Sequence, residues 1–187
     1  MYDVVIIGAG PAGASAAIFT SKAGKKTLLI DSEKSLTKRA WVENHYGVEG
    51  IDGPALLEKG INQATKLGTD FTIDTVVNIV KEDDFFSVET ESNSVVQAKH
   101  VLLATGVLAD LAEKVGLKVI PGTEPRIKSN IKVDSEGKTN INGIWAAGTV
   151  AGVSVHTIVT AGHGAAVAIN IISEINGERY VDHDLLT

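Results

Sequence analysis

Gly8-Ala9-Gly10-Pro11-Ala12-Gly13 is the stretch that could hold a phosphate. Its spacing is G-x-G-x-x-G. Gly8 permits a tight turn, Gly10 lets a pyrophosphate approach the backbone, and Gly13 lets a helix pack closely on a strand. Asp31 falls roughly 20 residues further on, where a carboxylate can accept hydrogen bonds from a ribose. Other chemistry is thin. The chain has no cysteine, which excludes disulfides, thiolate metal sites and dithiol redox work by this chain. The histidines, His45, His100, His156, His163 and His183, are scattered. None has metal-ligand spacing, so no metal site is expected. His100 alternates within a strand pattern and is expected at the surface.

The elements around the glycines supply the context that the motif needs. Val4-Val5-Ile6-Ile7 is a β-branched run leading into Gly8. A helical pattern runs from about Pro11 to Ala23 and stops at Gly24. Thr27-Leu28-Leu29-Ile30 is a second apolar run, and it ends in Asp31. This is a βαβ unit whose helix N-terminus presents free N–H groups and a partial positive charge.

The polar stretch Ser32–Arg39 follows, with Lys38 and Arg39 expected in solvent. Gly53-Pro54 opens a helix with an apolar stripe of Leu56, Leu57, Ile61, Ala64 and Leu67, closed by Gly68. Phe71–Ile73 reads as a short strand. Val76–Val80, Phe85–Thr90 and Val95–Ala98 alternate and predict a three-stranded antiparallel meander. Val101-Leu102-Leu103-Ala104 is a parallel-type strand closed by Thr105-Gly106. A short helix is expected from Asp110 to Val115, before Gly116. Turns fall at Pro121-Gly122, Glu124-Pro125 and Ser135–Lys138. Gly143–Thr149 is a last buried strand. A helix rich in small residues runs from about Thr157 to Ile175; plain helix–sheet packing accounts for those small residues as well as a ligand does.

Lys and Arg total 17 against 23 Asp and Glu, a net charge of −6. Nothing in that balance suggests the basic face that nucleic acid would need. The apolar runs are short of a membrane span. With a first strand beginning at residue 2 or 3, no signal peptide is expected. The expectation is a soluble cytoplasmic α/β domain spanning 1–187, with halves of about 1–110 and 117–187 joined by a short bridge. It is Rossmann-like: a central parallel sheet with helices and the meander, its ligand beyond the carboxyl ends of the strands.

In order, the opening fingerprint, the acid after the second strand, Val42-Glu43-Asn44, Gly53-Pro54, the meander, Ala104-Thr105-Gly106 and Gly143-Ile144-Trp145-Ala146-Ala147-Gly148 resemble the FAD domain of thioredoxin reductase. More broadly they resemble the pyridine nucleotide-disulfide oxidoreductase flavoproteins. The resemblance implies non-covalent FAD. It implies Gly8, Gly10, Pro11, Ala12 and Gly13 at the pyrophosphate, and Asp31, flanked by Ser32 and Glu33, at the adenosine ribose. Val76 would meet adenine through its backbone. Asn44, Ala104, Thr105 and Gly106 would lie along the cofactor. Gly148 and Thr149 would meet the ribityl chain, and His156, Thr157 and Ile158 the flavin ring.

The sequence also departs from that family. An NADPH domain and a Cys-x-x-Cys are missing, and only Val107 to about Ile131 joins the two halves. Ser35-Leu36 stands where the family has Gly-Gly-Gln. Thr149 stands where an Asp grips the ribityl chain, which exchanges a charge-assisted hydrogen bond for a neutral one. His156-Thr157 replaces an Arg-Gln pair. His156 is either a group that tunes the flavin or moves a proton there, the one catalytic candidate, or a packed surface residue.

The implied activity is an FAD-dependent, thioredoxin-reductase-like oxidoreductase that works with a separate electron donor or acceptor protein and cannot itself exchange dithiols. Homodimer formation is left open. The alternatives are a non-catalytic flavin-binding or regulatory module, and an NAD-binding enzyme.

Overall fold

Strand β1 (Tyr2–Ile7) is the axis of the molecule. The structure is a computed structural model describing residues 1–182 and 184–185, so His183 lies outside the described residues. β1 is flanked in parallel by β2 (Thr27–Asp31) and β8 (Val95–Leu103). β5 (Asp70–Ile73) adds to β2, also in parallel. β6 (Val76–Lys81) and β7 (Phe86–Thr90) continue the sheet beyond β8. β11 (Ile144–Ala146) pairs with β8 in parallel and completes seven strands. The fold is α/β, with a central, mostly parallel sheet and helices packed on it.

The meander differs from its sequence reading. Val95–Ala98 and Val101–Leu103 are not two strands but one. The first part of β8 pairs antiparallel with β7, Phe86 opposite Ala98. Its second part pairs with β11, Ile144 opposite Val101. Both partners occupy the same edge of β8 in succession, while β1 holds the other edge. The apparent break at Lys99-His100 is a change of exposure, not of backbone: the leading end is half in solvent and the trailing end buried on both faces.

Alternation along the strands divides the core in two. Val5, Ile7, Leu103 and Ile144 point to one face, with Phe86, Ala112 and Ile131. Val4, Ile6, Leu29, Leu102 and Trp145 point to the other, under α1 (Pro11–Lys22) and α4 (Thr157–Asn176). His100 is not the expected surface residue. It is half-buried, and the indole Nε1–H of Trp145 donates to its Nδ1 at 3.3 Å.

On length and composition alone, α4 could cross a membrane. Here its apolar side is core: Val167, Ala168 and Ile171 are buried with α1 and the sheet. Gly164 lies so close to the Ala12 carbonyl that a Cβ would collide with it. Gly164 therefore serves helix–helix contact rather than the expected helix–sheet contact, while Gly162 and Ala166 are exposed.

α2 (Gly53–Lys66) is capped by Asp52, whose carboxylate accepts the Ala55 N–H at 2.8 Å. It buries Leu57 and Ala64. Leu67, expected in its apolar stripe, closes the helix instead and is exposed. Two segments to which the sequence reading gave no strand carry one. β3 (Trp41–Val42) and β4 (Ile51–Asp52) form a small hairpin. After α3 (Asp110–Lys114), the bridge is a second hairpin, β9 (Val119–Pro121) with β10 (Ser129–Ile131).

Candidate functional site

The carboxyl ends of β1, β2, β8 and β11 open on one edge of the sheet, and the described cavity of note lies there. It is a groove of about 290 Å³, at the small end of the range for ligand sites. Of the residues expected at the cofactor, Gly8, Gly10, Pro11, Ala12, Asp31, Ser32, Val76, Ala104, Thr105, Gly106, Gly148 and Thr149 line it. The sheet brings these together from both halves of the sequence.

The fingerprint glycines have three different physical reasons. Gly8 has φ +101°, and a Cβ there would sit 2.5 Å from the Ala104 carbonyl oxygen, where β1 passes β8. Gly13 lies directly over Gly8, and a Cβ on it would strike the Gly8 carbonyl oxygen. Both are fixed by the protein's own packing. Gly10 is not. Its φ of −66° suits any residue, and a Cβ would meet only Ser35 Oγ, at an ordinary 3.5 Å. Neither conformation nor packing asks for glycine there. The N–H groups of the first turn of α1, which follows, have no partner within the helix.

Asp31 is buried at the end of β2, and its Oδ1 accepts the Ala9 N–H at 3.3 Å. The carboxylate therefore ties β2 to the glycine turn. Asp74, also on the groove wall, is a second acid at this end. The Ser92 hydroxyl, at 2.6 Å, and then Thr90 hold its carboxyl below the usual range. Carboxylates at this end of the groove suit ribose hydroxyls and repel a further phosphate.

Ser35 and Thr37 form a lip across the groove from Gly10. They belong to a 3₁₀ turn over Leu36–Arg39 that Ser35 caps by accepting the Thr37 N–H at 3.3 Å. Gly53 holds that turn in place, because it sits against the Thr37 carbonyl with no room for a Cβ. Lys38 points away and pairs with Glu33 at 3.1 Å. The lip lay in a stretch read as solvated; only the Ser-Leu departure from Gly-Gly-Gln marked it.

On the opposite wall, β11 ends at Ala146 and the chain turns at Gly148, with φ +79°. A Cβ on Gly148 would be 2.8 Å from that of Ala12. The Gly148 N–H donates to His163 Nδ1 at 3.0 Å. That bond requires His163 neutral, with its proton on Nε2. Burial also pushes the His163 pKa down. Thr149 follows, 6% exposed, and its carbonyl accepts from the Asn130 side chain at 2.7 Å. Neither His163 nor Asn130 carried a motif, so sequence reading missed both.

The remaining expected residues lie elsewhere. Gly13 is beneath the groove, and Glu33 is on the surface with Lys38. Asn44, His156, Thr157 and Ile158 do not line the groove. Thr157 begins α4, and its hydroxyl lies 3.0 Å from His45 Nδ1, next to Asn44 in the chain. His156 is exposed, its Nδ1 2.7 Å from the Ser154 hydroxyl.

The family profile described as pyridine nucleotide-disulphide oxidoreductase matches residues 2–106 and 53–165. The thioredoxin reductase of Listeria monocytogenes is 36% identical over 109 residues, 57% of this chain and 34% of that protein. The chain thus spans about a third of the length of such curated relatives. A thioredoxin reductase structure from Gloeobacter violaceus superposes with a TM-score of 0.80 at 17% identity, covering 100% of this chain and 99% of the other. An oxidoreductase from Agrobacterium tumefaciens gives 0.84 at 17% identity, covering 94% and 99%. At these identities the superpositions establish the fold.

Proposed function

The chain belongs to the pyridine nucleotide-disulphide oxidoreductase family, and we propose that it binds FAD non-covalently and works as an oxidoreductase with a separate electron donor or acceptor protein. The observation that carries the cofactor reading is Gly10. A glycine whose conformation and packing do not need it, at the N-terminus of a helix and facing a groove, is accounted for by a phosphate that must approach its backbone.

The residues fit the group. Gly10, Pro11 and Ala12 would hold the pyrophosphate, with Ser35 at the lip. Asp31 would accept from the ribose, and Val76 would lie against adenine. The acids at that end favour a dinucleotide with a free ribose. Thr105 and Gly106 would run along the middle of the cofactor, and Gly148 and Thr149 along the ribityl chain. Asn44 would lie along the cofactor, and His156, Thr157 and Ile158 would meet the flavin ring. Bound FAD supplies the electron transfer; the chain binds it, orients it and shields one side. Without cysteine, the chain has no thiolate to attack a disulfide, so its acceptor differs from that chemistry or brings its own thiols.

Absorbance and mass of the purified protein test the reading. FAD released by acid precipitation is the expected result. NAD in its place would support the dinucleotide groove and overturn the flavin. Steady-state NADPH oxidation, alone and with candidate acceptor proteins, then separates an enzyme from a carrier.

A further inference from the structure

The bridge hairpin reaches into the groove wall through one side chain. Asn130, on β10, is 1% exposed. Its Oδ1 accepts the Thr123 N–H at 2.9 Å, and its Nδ2 donates to the Thr149 carbonyl at 2.7 Å. Two backbone partners of opposite kind fix the amide's orientation. The Thr123 hydroxyl adds a bond to the Gly152 carbonyl at 3.0 Å. The turn from Thr149 to Gly152 is therefore gripped at both ends from the bridge, while His163 holds Gly148 from α4.

We propose that Asn130 is a positioning residue for the cofactor groove: it sets the Thr149 rim, so the bridge governs how tightly the part of FAD beyond the pyrophosphate is held. A buried amide with both ends used is costly to replace by anything of other polarity. Its role is directional, because Thr149 lines the groove while Asn130 does not. The fingerprint wall across the groove is built without the bridge. The inference rests on the FAD reading and adds to it a residue with no fingerprint of its own.

The test uses the full chain with FAD and ADP as probes. ADP carries the adenosine and both phosphates but nothing for the Thr149 rim to touch. Asn130→Asp still accepts from Thr123 but turns an oxygen toward the Thr149 carbonyl. It should weaken FAD by about tenfold or more and ADP by less than about twofold. Thr123→Ala, at an exposed position, removes the hold on Gly152 and a 3.3 Å hydroxyl contact to Asn130 Oδ1, while the Thr123 N–H still holds Asn130. It should weaken FAD by about threefold and leave ADP alone.

Should Asn130→Asp fail to fold, Thr123→Ala decides. A folded variant with FAD affinity unchanged, or with FAD and ADP weakened alike, overturns the proposal. Wild-type protein that binds ADP but not FAD overturns the flavin reading, and the proposal with it, before any variant is compared.

Discussion

The two walls of the groove are built in opposite ways. The fingerprint wall is local: Gly8, Gly10, Gly13 and Asp31 come from one βαβ unit, where Gly13 packs directly on Gly8 and Asp31 accepts the Ala9 N–H. The Gly148–Thr149 wall is assembled from a distance. Its N–H is held by His163 on α4 and its carbonyl by Asn130 on the bridge. A wall made of local backbone is robust and leaves a spacing that can be read. A wall held by single side chains can drift in sequence, and Thr149 itself departs from the family's acid.

The sharpest way to break this contrast is within the fingerprint. Gly13→Ala pushes a Cβ into the Gly8 carbonyl, and neither backbone can yield without moving β1 or α1. The expected loss is about 3 kcal/mol or more of folding stability, read by denaturant unfolding. Gly10→Ala should change stability by less than about 1 kcal/mol. The weaker N-cap and the stiffer unfolded chain oppose each other. Its effect should appear in binding, as a loss of tenfold or more, about 1.4 kcal/mol. If Gly10→Ala keeps full affinity for both ADP and FAD, the phosphate does not sit at Gly10.

Asp31 comes next. Asp31→Ala should weaken FAD by about 1–3 kcal/mol, because ribose hydroxyls lose their charged acceptor. It also strips the buried Ala9 N–H of its partner, so stability should fall too. Asp31→Asn separates the two effects: an amide oxygen can keep the Ala9 bond without the charge. Stability near wild type with weakened FAD is the expected pattern. Unchanged FAD affinity in Asp31→Asn would restrict this carboxylate to tying β2 to the turn.

Acid should act on the distant wall before the local one. Burial pushes the pKa values of His163 and His100 below the ordinary histidine value, and each Nδ1 accepts an N–H. The unfolded chain therefore takes up these protons first, near pH 6.5. The stability contribution is present above that value and is lost as pH falls through the lower folded values. FAD affinity should fall with it, since protonated His163 releases Gly148. His163→Asn, whose Oδ1 can accept the same N–H without titrating, should flatten the acid loss of affinity. An unchanged pH profile in that variant would remove His163 from the wall's support.

The same contrast explains what was legible. Gly8–Gly13 and Asp31 could be read because turn and strand chemistry is written locally, while Val76 and Thr105 were expected at the groove only through the family resemblance. His100 was misplaced because alternation shows which way a side chain points, not what covers it; Trp145, far along the chain, covers it. β8 was split in two because its pattern changes from half-buried to fully buried within one strand. Asn130 carried no signal in the sequence. Only the fold brings it to Thr149.

The smallest expected effect is at Thr149, and it tests the distant wall where it meets the ligand. Thr149 is buried and lines the groove, and Asn130 fixes its carbonyl, so its side chain is the part free to address a ligand. A carboxylate there would replace a neutral hydrogen bond by a charge-assisted one, about twice as strong. Thr149→Asp should tighten FAD by about 1 kcal/mol if it finds a ribityl hydroxyl. Burying that charge without a ligand is unfavourable, so the ligand-free variant should be less stable than wild type and regain the difference only when FAD is added. ADP, which lacks the ribityl chain, should bind both proteins alike. Titrating both proteins with FAD and with ADP, alongside thermal unfolding, reads all three. If Thr149→Asp binds FAD equally or more weakly, the threonine is fitted to its own geometry, and the distant wall has been rebuilt for a different contact from the one the family's acid makes.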